Sequence, residues 1–152
     1  MPLNPVLSKT VLDLFTEVAI VEHLLRTRME RRIDGELNAG QFGILNHLLR
    51  TGITSTTGSA LAWAFQDADD HMAVKIDSLE AIGLIACTPV AGTNDDRLVT
   101  VTDEGRLAHA RAIEAMSPEV EPLFEGLPLE DVQTSVAVLQ EVRRTLDNLP
   151  DR

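Results

Sequence analysis

Apolar residues follow two kinds of spacing along the chain, and the switch between them marks out most of its elements. Val11, Leu12, Phe15, Val18, Ala19 and Leu25 recur at intervals of three and four, which predicts one amphipathic helix over about residues 8–32. Its last turns carry Arg26, Arg28, Arg31 and Arg32, favourable against the negative end of the helix dipole, and Asp34-Gly35 closes it. A second helix begins behind Asn38, a good N-cap, with Leu37 and Phe42 spaced for a hydrophobic staple. It runs to about Arg50, where Thr51-Gly52 stops it. The polar stretch from Thr54 to Gly58 offers caps for a short third helix through Phe65. After the break at Gln66-Asp67-Ala68, a fourth helix covers about 69–82 and ends on Gly83, where a left-handed residue is commonly needed.

The spacing then changes. Leu84-Ile85-Ala86-Cys87-Thr88 and Leu98-Val99-Thr100-Val101-Thr102 have strand character, and the loop between them is rich in Gly92, Asn94 and Asp95, which predicts a hairpin. Helical periodicity returns from Asp103 to about Met116, and Ser117-Pro118 interrupts it. Pro128 opens a last helix with Leu129, Val132, Val136, Leu139, Val142, Leu146 and Leu149 on one face. The predicted fold is mainly α with a small β-hairpin wing: a winged helix-turn-helix flanked by long helices from both termini. Those outer helices carry apolar stripes wider than a small central domain can cover, and an uncovered stripe marks a partner surface. Dimerisation is the economical answer, through Val11, Phe15 and Val18 of the first helix and Val132, Val136, Leu139, Val142 and Leu146 of the last.

Composition narrows the function. The 152 residues suit one domain spanning 1–152, and 44% hydrophobic content reads as globular. No apolar run approaches the roughly 20 residues that cross a bilayer, and the start, MPLNPVLSKT, lacks a signal-peptide pattern. With one cysteine and no disulfide framework, the expectation is a cytoplasmic protein without membrane contact. His23, His47, His71 and His109 lie far apart and form no metal-ligand spacing with Cys87. No nucleophile elbow, phosphate-binding glycine loop or metal motif appears, so no catalytic residue, metal or cofactor is expected and the chain is read as a non-enzyme. The net charge of −11 opposes nucleic-acid binding unless a basic patch stands on the acidic body.

Three segments carry a family resemblance. They are LNAGQFGIL at the start of the second helix, LAWAFQDADDHMAVKIDSLEAIGLI over 61–85, and Asp96-Arg97 followed by Thr102-Asp103-Glu104-Gly105-Arg106. In this order and spacing they resemble the MarR (multiple-antibiotic-resistance regulator) family of winged helix-turn-helix transcriptional regulators, over nearly the whole chain. The resemblance implies dimerisation helices at 8–33 and 104–150 around a winged helix-turn-helix at 37–103. It implies a homodimer whose first, fifth and sixth helices interlock. Helix 69–82 of each copy would enter the major groove of double-stranded DNA at a palindromic site, with the wings on flanking minor grooves. It further implies a transcriptional repressor released by a small ligand or an oxidant. The effector pocket would lie between the dimer helices and the winged domain, near His47 and the arginines of the first helix.

The DNA-contacting positions implied are Thr56, Thr57, Ser59, Asp70, His71, Ala73, Val74, Lys75 and Arg97. Their chemistry departs from the family pattern. Small polar and basic residues are expected at the start of the recognition helix, yet Ala68, Asp69, Asp70, His71, Ala73 and Val74 stand there, and Lys75 is the helix's one basic residue against Asp69, Asp70, Asp77 and Glu80. One aspartate is accounted for as a helix cap; the second lies close to where phosphate should be. At an effective dielectric near 20, two charges about 6 Å apart interact by roughly 3 kcal/mol before screening. That rivals the ~1–3 kcal/mol of a good base contact, although aspartate also accepts a hydrogen bond from cytosine. Cys87 stands where the family places a basic residue; a small buried thiol in a strand is its expected role, against oxidant sensing. Arg97 has two readings, a minor-groove contact or a salt bridge with Asp95 or Asp96. Thr56, Thr57 and Ser59 are phosphate ligands or simply caps, His71 a contact or a solvated side chain, and Trp63 semi-buried packing. Two functions follow: a sequence-specific DNA-binding regulator, or a dimer of the same frame that binds a protein partner or a small molecule instead.

Overall fold

The computed structural model describes residues 4–32, 37–53 and 55–150; the expected stop at Asp34-Gly35 and the cap candidate Thr54 lie outside them. The elements in chain order are α1 (Pro5–Arg32), α2 (Ala39–Arg50), β1 (Ser55–Thr57), α3 (Gly58–Ala64), α4 (Asp69–Ala81), β2 (Ile85–Pro89), β3 (Arg97–Val101), α5 (Asp103–Val120), a 3-10 turn (Glu121–Phe124) and α6 (Leu129–Asp147). Two compact units are formed, Met1–Met116 and Ser117–Arg152.

Local chemistry sets the helix ends. The Asn38 side chain accepts from Gln41 N at 2.8 Å while Gln41 Oε1 accepts from Asn38 N at 2.9 Å, so a reciprocal capping box opens α2. Leu37 and Phe42, flanking the box, both join the apolar core. At the far end of α4, Gly83 takes φ +77°; its N–H donates to the Glu80 carbonyl at 2.9 Å and Leu84 N–H to the Leu79 carbonyl at 3.0 Å. That pair of bonds is a Schellman closure, which needs a left-handed residue and so favours glycine.

The sheet has three antiparallel strands in the order β1-β3-β2. The hairpin pairs Ile85 with Val101 and Pro89 with Arg97. On the other side of β3, Ser55 faces Thr100 and Thr57 faces Leu98. The sequence predicted only caps at 54–58 and so missed β1. Three residues are too few to show alternation, and their partner strand lies more than thirty residues downstream in the chain. A second correction concerns α5, which continues through the expected break at Ser117-Pro118 to Val120. Proline removes one N–H and crowds the preceding turn; two residues from the helix end that disruption is tolerated, and the chain then tightens into the 3-10 turn.

Ile44, Leu45 and Leu48 from α2, Leu61 from α3, Met72, Ile76 and Leu79 from α4, and Ile85 and Val99 from the sheet are almost fully buried. Each contributes roughly 1.5–3 kcal/mol of burial. No polar or charged side chain is buried among the described residues. The N-terminal half of α5 closes the same core with Gly105, Ala108 and Ala112. Beside it, His109 stacks on Phe42 (centroids 5.3 Å apart) with Nε2 3.0 Å from Asn46 Oδ1, and burial holds its pKa below the usual imidazole value. By contrast, α1 leaves Val6, Leu12, Phe15 and Leu24 exposed. In the second unit α6 buries no residue and leaves Val136, Val138 and Leu146 exposed.

One glycine fixes how α5 meets the α4–β2 corner. A Cβ built on Gly105 would collide with the Leu84 carbonyl oxygen and press Val101 Cγ1 at 3.0 Å. Backbone cannot yield as a flexible side chain can. Gly105→Ala is therefore expected to lower unfolding stability by at least about 2 kcal/mol, measured as a fall in the urea midpoint; an unchanged midpoint would contradict the close approach.

Candidate nucleic-acid interface

The starts of α3 and α4 and the hairpin converge on one face. Thr57 caps α3, its hydroxyl accepting from Ala60 N at 3.2 Å. Two residues on, Ser59 binds the wing: its hydroxyl donates to Asp96 Oδ2 at 2.5 Å and its N–H to Asp96 Oδ1 at 3.2 Å. Asp96 Oδ1 also accepts from Arg97 N at 2.9 Å. These bonds, the Ser59 hydroxyl first, hold the Asp96 carboxyl below the usual aspartate range.

Neither Asp69 nor Asp70 caps α4, contrary to the reading from sequence. Ala68 occupies the N-cap without a side-chain bond, and both aspartates fall within the first turn, where the helix dipole favours negative charge. Asp70 Oδ1 accepts from His71 N at 2.9 Å. The carboxylate that organises this end is Asp67, just before the helix. Its Oδ1 accepts from Ala68 N at 3.0 Å, its Oδ2 holds Lys75 Nζ at 2.6 Å, and His71 Nδ1 stands 3.4 Å from Oδ1. Lys75 is the main cause that keeps the Asp67 carboxyl below its ordinary value.

Arg97 pairs with neither of its neighbours in sequence. Its Nη1 lies 2.7 Å from Asp77 Oδ1 and 3.6 Å from Glu80 Oε2, both on α4. The reason is geometric: Asp96 spends its oxygens on Ser59 and on backbone, while β3 enters the sheet at Arg97 with its side chain toward α4. Glu80 Oε1 also accepts from Cys87 N at 3.0 Å. Burial, then Glu80, pushes the Cys87 thiol up and disfavours the thiolate.

Of the positions singled out from sequence, Ser59, Asp70, Ala73 and Arg97 line one cleft of about 350 Å³, together with Asp69, Asp95 and Asp96. Thr56 is half-buried in β1, opposite Val99. Val74 is 68% exposed and His71 is exposed. Lys75 turns away from the cleft and lines a second cavity of about 270 Å³, with Arg26 and Glu30 of α1, Gly40 and Gly43 of α2, and Phe65 and Met72. His47 meets the Phe65 ring edge-on at 5.4 Å. Sequence reasoning missed Asp67, Asp77, Glu80 and Asp96 as organisers of this face. Only the i,i+4 spacing of Asp67 and His71 could have signalled one of them. Over residues 37–103 the sequence holds three Lys or Arg against eight Asp or Glu. Among the described residues no group of His, Cys, Asp and Glu could hold a metal ion, and no helix is long and apolar enough to cross a membrane.

No family model and no curated protein matches the sequence. Solved structures do match the fold. A MarR-family transcriptional regulator from Rhodococcus sp. RHA1 is 19% identical with a TM-score of 0.72, over 86% of this chain and 91% of that one. The transcriptional regulator BldR from Sulfolobus solfataricus is 17% identical with a TM-score of 0.71, over 97% and 100%. A MarR family protein from Bacillus stearothermophilus is 18% identical with a TM-score of 0.69, over 91% and 96%. The chain thus has a MarR-like winged-helix fold, mainly helical with a small antiparallel sheet.

Ser59→Ala is expected to raise the Asp96 pKa toward the ordinary aspartate value, read by NMR titration of its carboxyl carbon. A depressed carboxyl pKa contributes stability above the ordinary value, and that contribution is lost as pH falls through the depressed one. The variant should therefore have less of this stability to lose, and should finish losing it at a higher pH than the parent. An unmoved Asp96 titration would remove Ser59 as the cause.

Proposed function

We propose that the chain is a transcriptional regulator, not an enzyme, that binds double-stranded DNA as a homodimer at a palindromic site and acts as a cytoplasmic repressor relieved by a small ligand. The observation that carries this reading is the presentation of α4: Asp69, Asp70, His71 and Val74 stand exposed and Asp69, Asp70 and Ala73 share a cleft with the wing, in a fold shared with known transcriptional regulators. Val74 and Ala73 offer apolar contact to thymine methyl groups, and Asp70 offers an acceptor to cytosine N4. Thr56, Thr57 and the backbone at the start of α3 suit phosphate contacts. Arg97 suits the minor groove once it exchanges its carboxylate partners for the duplex.

Dimerisation is supported by the exposed Val11, Phe15 and Val18 of α1 and by Val136 and Leu146 of α6, with Val132, Leu139 and Val142 half-buried. The cavity that Arg26, Glu30, Phe65, Met72 and Lys75 line has the mixed apolar and charged walls that suit a small ligand. A second reading has its own observation. Lys75 and Arg97 are both engaged by carboxylates and the cleft is acidic, which favours a basic protein partner over DNA.

Binding to genomic fragments, including the chain's own upstream region, over a range of salt separates the two. The DNA reading expects a specific complex that weakens steeply with salt, and no specific complex at low salt would overturn it. At that site Arg97→Ala is expected to bind several-fold more weakly; equal affinity would strike Arg97 from the contacts. In sedimentation, the parent should run as a dimer and Phe15→Asp as a monomer, whereas a monomeric parent would sink the dimer.

A further inference from the structure

The DNA-facing elements α3, α4 and the hairpin carry two cations, Lys75 and Arg97, and the structure engages both. Lys75 Nζ lies 2.6 Å from Asp67, whose side chain is only 18% exposed. Arg97, 28% exposed, has Asp77 at 2.7 Å and Glu80 at 3.6 Å. Asp67 and Arg97 are partly shielded, whereas Lys75 and Asp77 are 42% and 64% exposed, so salt and water screen these pairs less than fully exposed ones without being shut out. What remains charged around the cleft, Asp69, Asp70 and Asp95, is negative. Sequence-independent attraction to DNA comes from cations that neutralise phosphates and release counterions, and this face has almost none to offer.

We infer that Asp67, Asp77 and Glu80 are specificity-determining positions: by holding Lys75 and Arg97 they suppress binding to arbitrary duplex and leave recognition to the base-edge contacts of α4. The inference rests on the reading of this face as the DNA side. Specificity is a difference of affinities, so weakening the non-specific arm raises the ratio as surely as tightening the cognate one. A cognate duplex, held close by contacts to base edges, brings phosphates near enough to compete for the two cations. A random duplex gains nothing to offset the broken ion pairs. The three carboxylates act through the cations, as positioning residues.

The test uses the full chain and a random-sequence duplex, with affinity followed from about 50 to about 200 mM salt. Asp67→Asn keeps the acceptor for Ala68 N but releases Lys75; Asp77→Asn with Glu80→Gln keeps the acceptor for Cys87 N but releases Arg97. Each is expected to bind the random duplex more tightly. Each should also steepen the slope of log affinity against log salt by about 0.9, an extra loss of about 3.5-fold across that range. Asp69→Asn is the control for the first and Asp69→Asn with Asp95→Asn for the second, because each removes the same charge and frees no cation; their slopes should stay at the parent value. Adding Lys75→Gln to Asp67→Asn should restore that value. An unchanged slope in both releasing variants, or an equal steepening by Asp69→Asn, would overturn the inference. If Asp67→Asn fails to fold, the Arg97-releasing pair decides the matter alone. No specific genomic site for the parent would sink the DNA-regulator reading and, with it, the specificity assigned to these carboxylates. A specific parental complex with no change of slope in the releasing variants would sink the inference alone.

Discussion

The corner between α4 and β2 is the constraint on which the winged unit depends. Its end is fixed by Gly83, whose left-handed backbone closes α4 and turns the chain into the hairpin. The Leu84 carbonyl then accepts from Thr102 N at 3.1 Å, the Thr102 hydroxyl donates to the Gly83 carbonyl at 2.7 Å, and Gly105 N donates to that hydroxyl at 3.0 Å. One threonine thus caps α5 and ties it to the end of α4. Gly105 lets the two backbones meet without a side chain between them. Where the hairpin leaves, where α5 begins and which face α4 presents are all set there.

Much of this was legible in the chain. The three- and four-residue periodicity of α2 and α4, the Asn38 cap and Gly83 each act within a turn or two, so local spacing is enough to reveal them. What escaped depends on partners far away in sequence. β1 exists because β3 offers it an edge, and Ser55 to Thr57 alone carry too little pattern to show a strand. Arg97 sits beside two aspartates and pairs with neither, because the fold brings Asp77 and Glu80 nearer. Pro118 looked like a stop, yet so close to the helix end it costs little. Of the positions named from sequence, Ser59, Asp70, Ala73 and Arg97 share one cleft while Lys75 lines another cavity, and which charges are already occupied by one another was invisible.

That occupancy changes how the charge of −11 should be understood. A sum over the chain says little about a face; what matters is which charges have partners. On this face the cations are engaged and the aspartates of the first turn of α4 are held by the helix dipole, so the surface combines low positive character with exposed apolar and acceptor groups. Such a surface discriminates by fit more than by attraction.

The bonds from the wing run to two different helices. Asp96 fastens it to the start of α3, and Arg97 fastens it to the middle of α4. A wing anchored at two points cannot swing on its hairpin without breaking one anchor, so α3, α4 and the wing form one braced head. In a dimer of the kind proposed, each head would keep its shape whatever binds elsewhere. Control would then act as callipers do, by setting the distance between two fixed jaws.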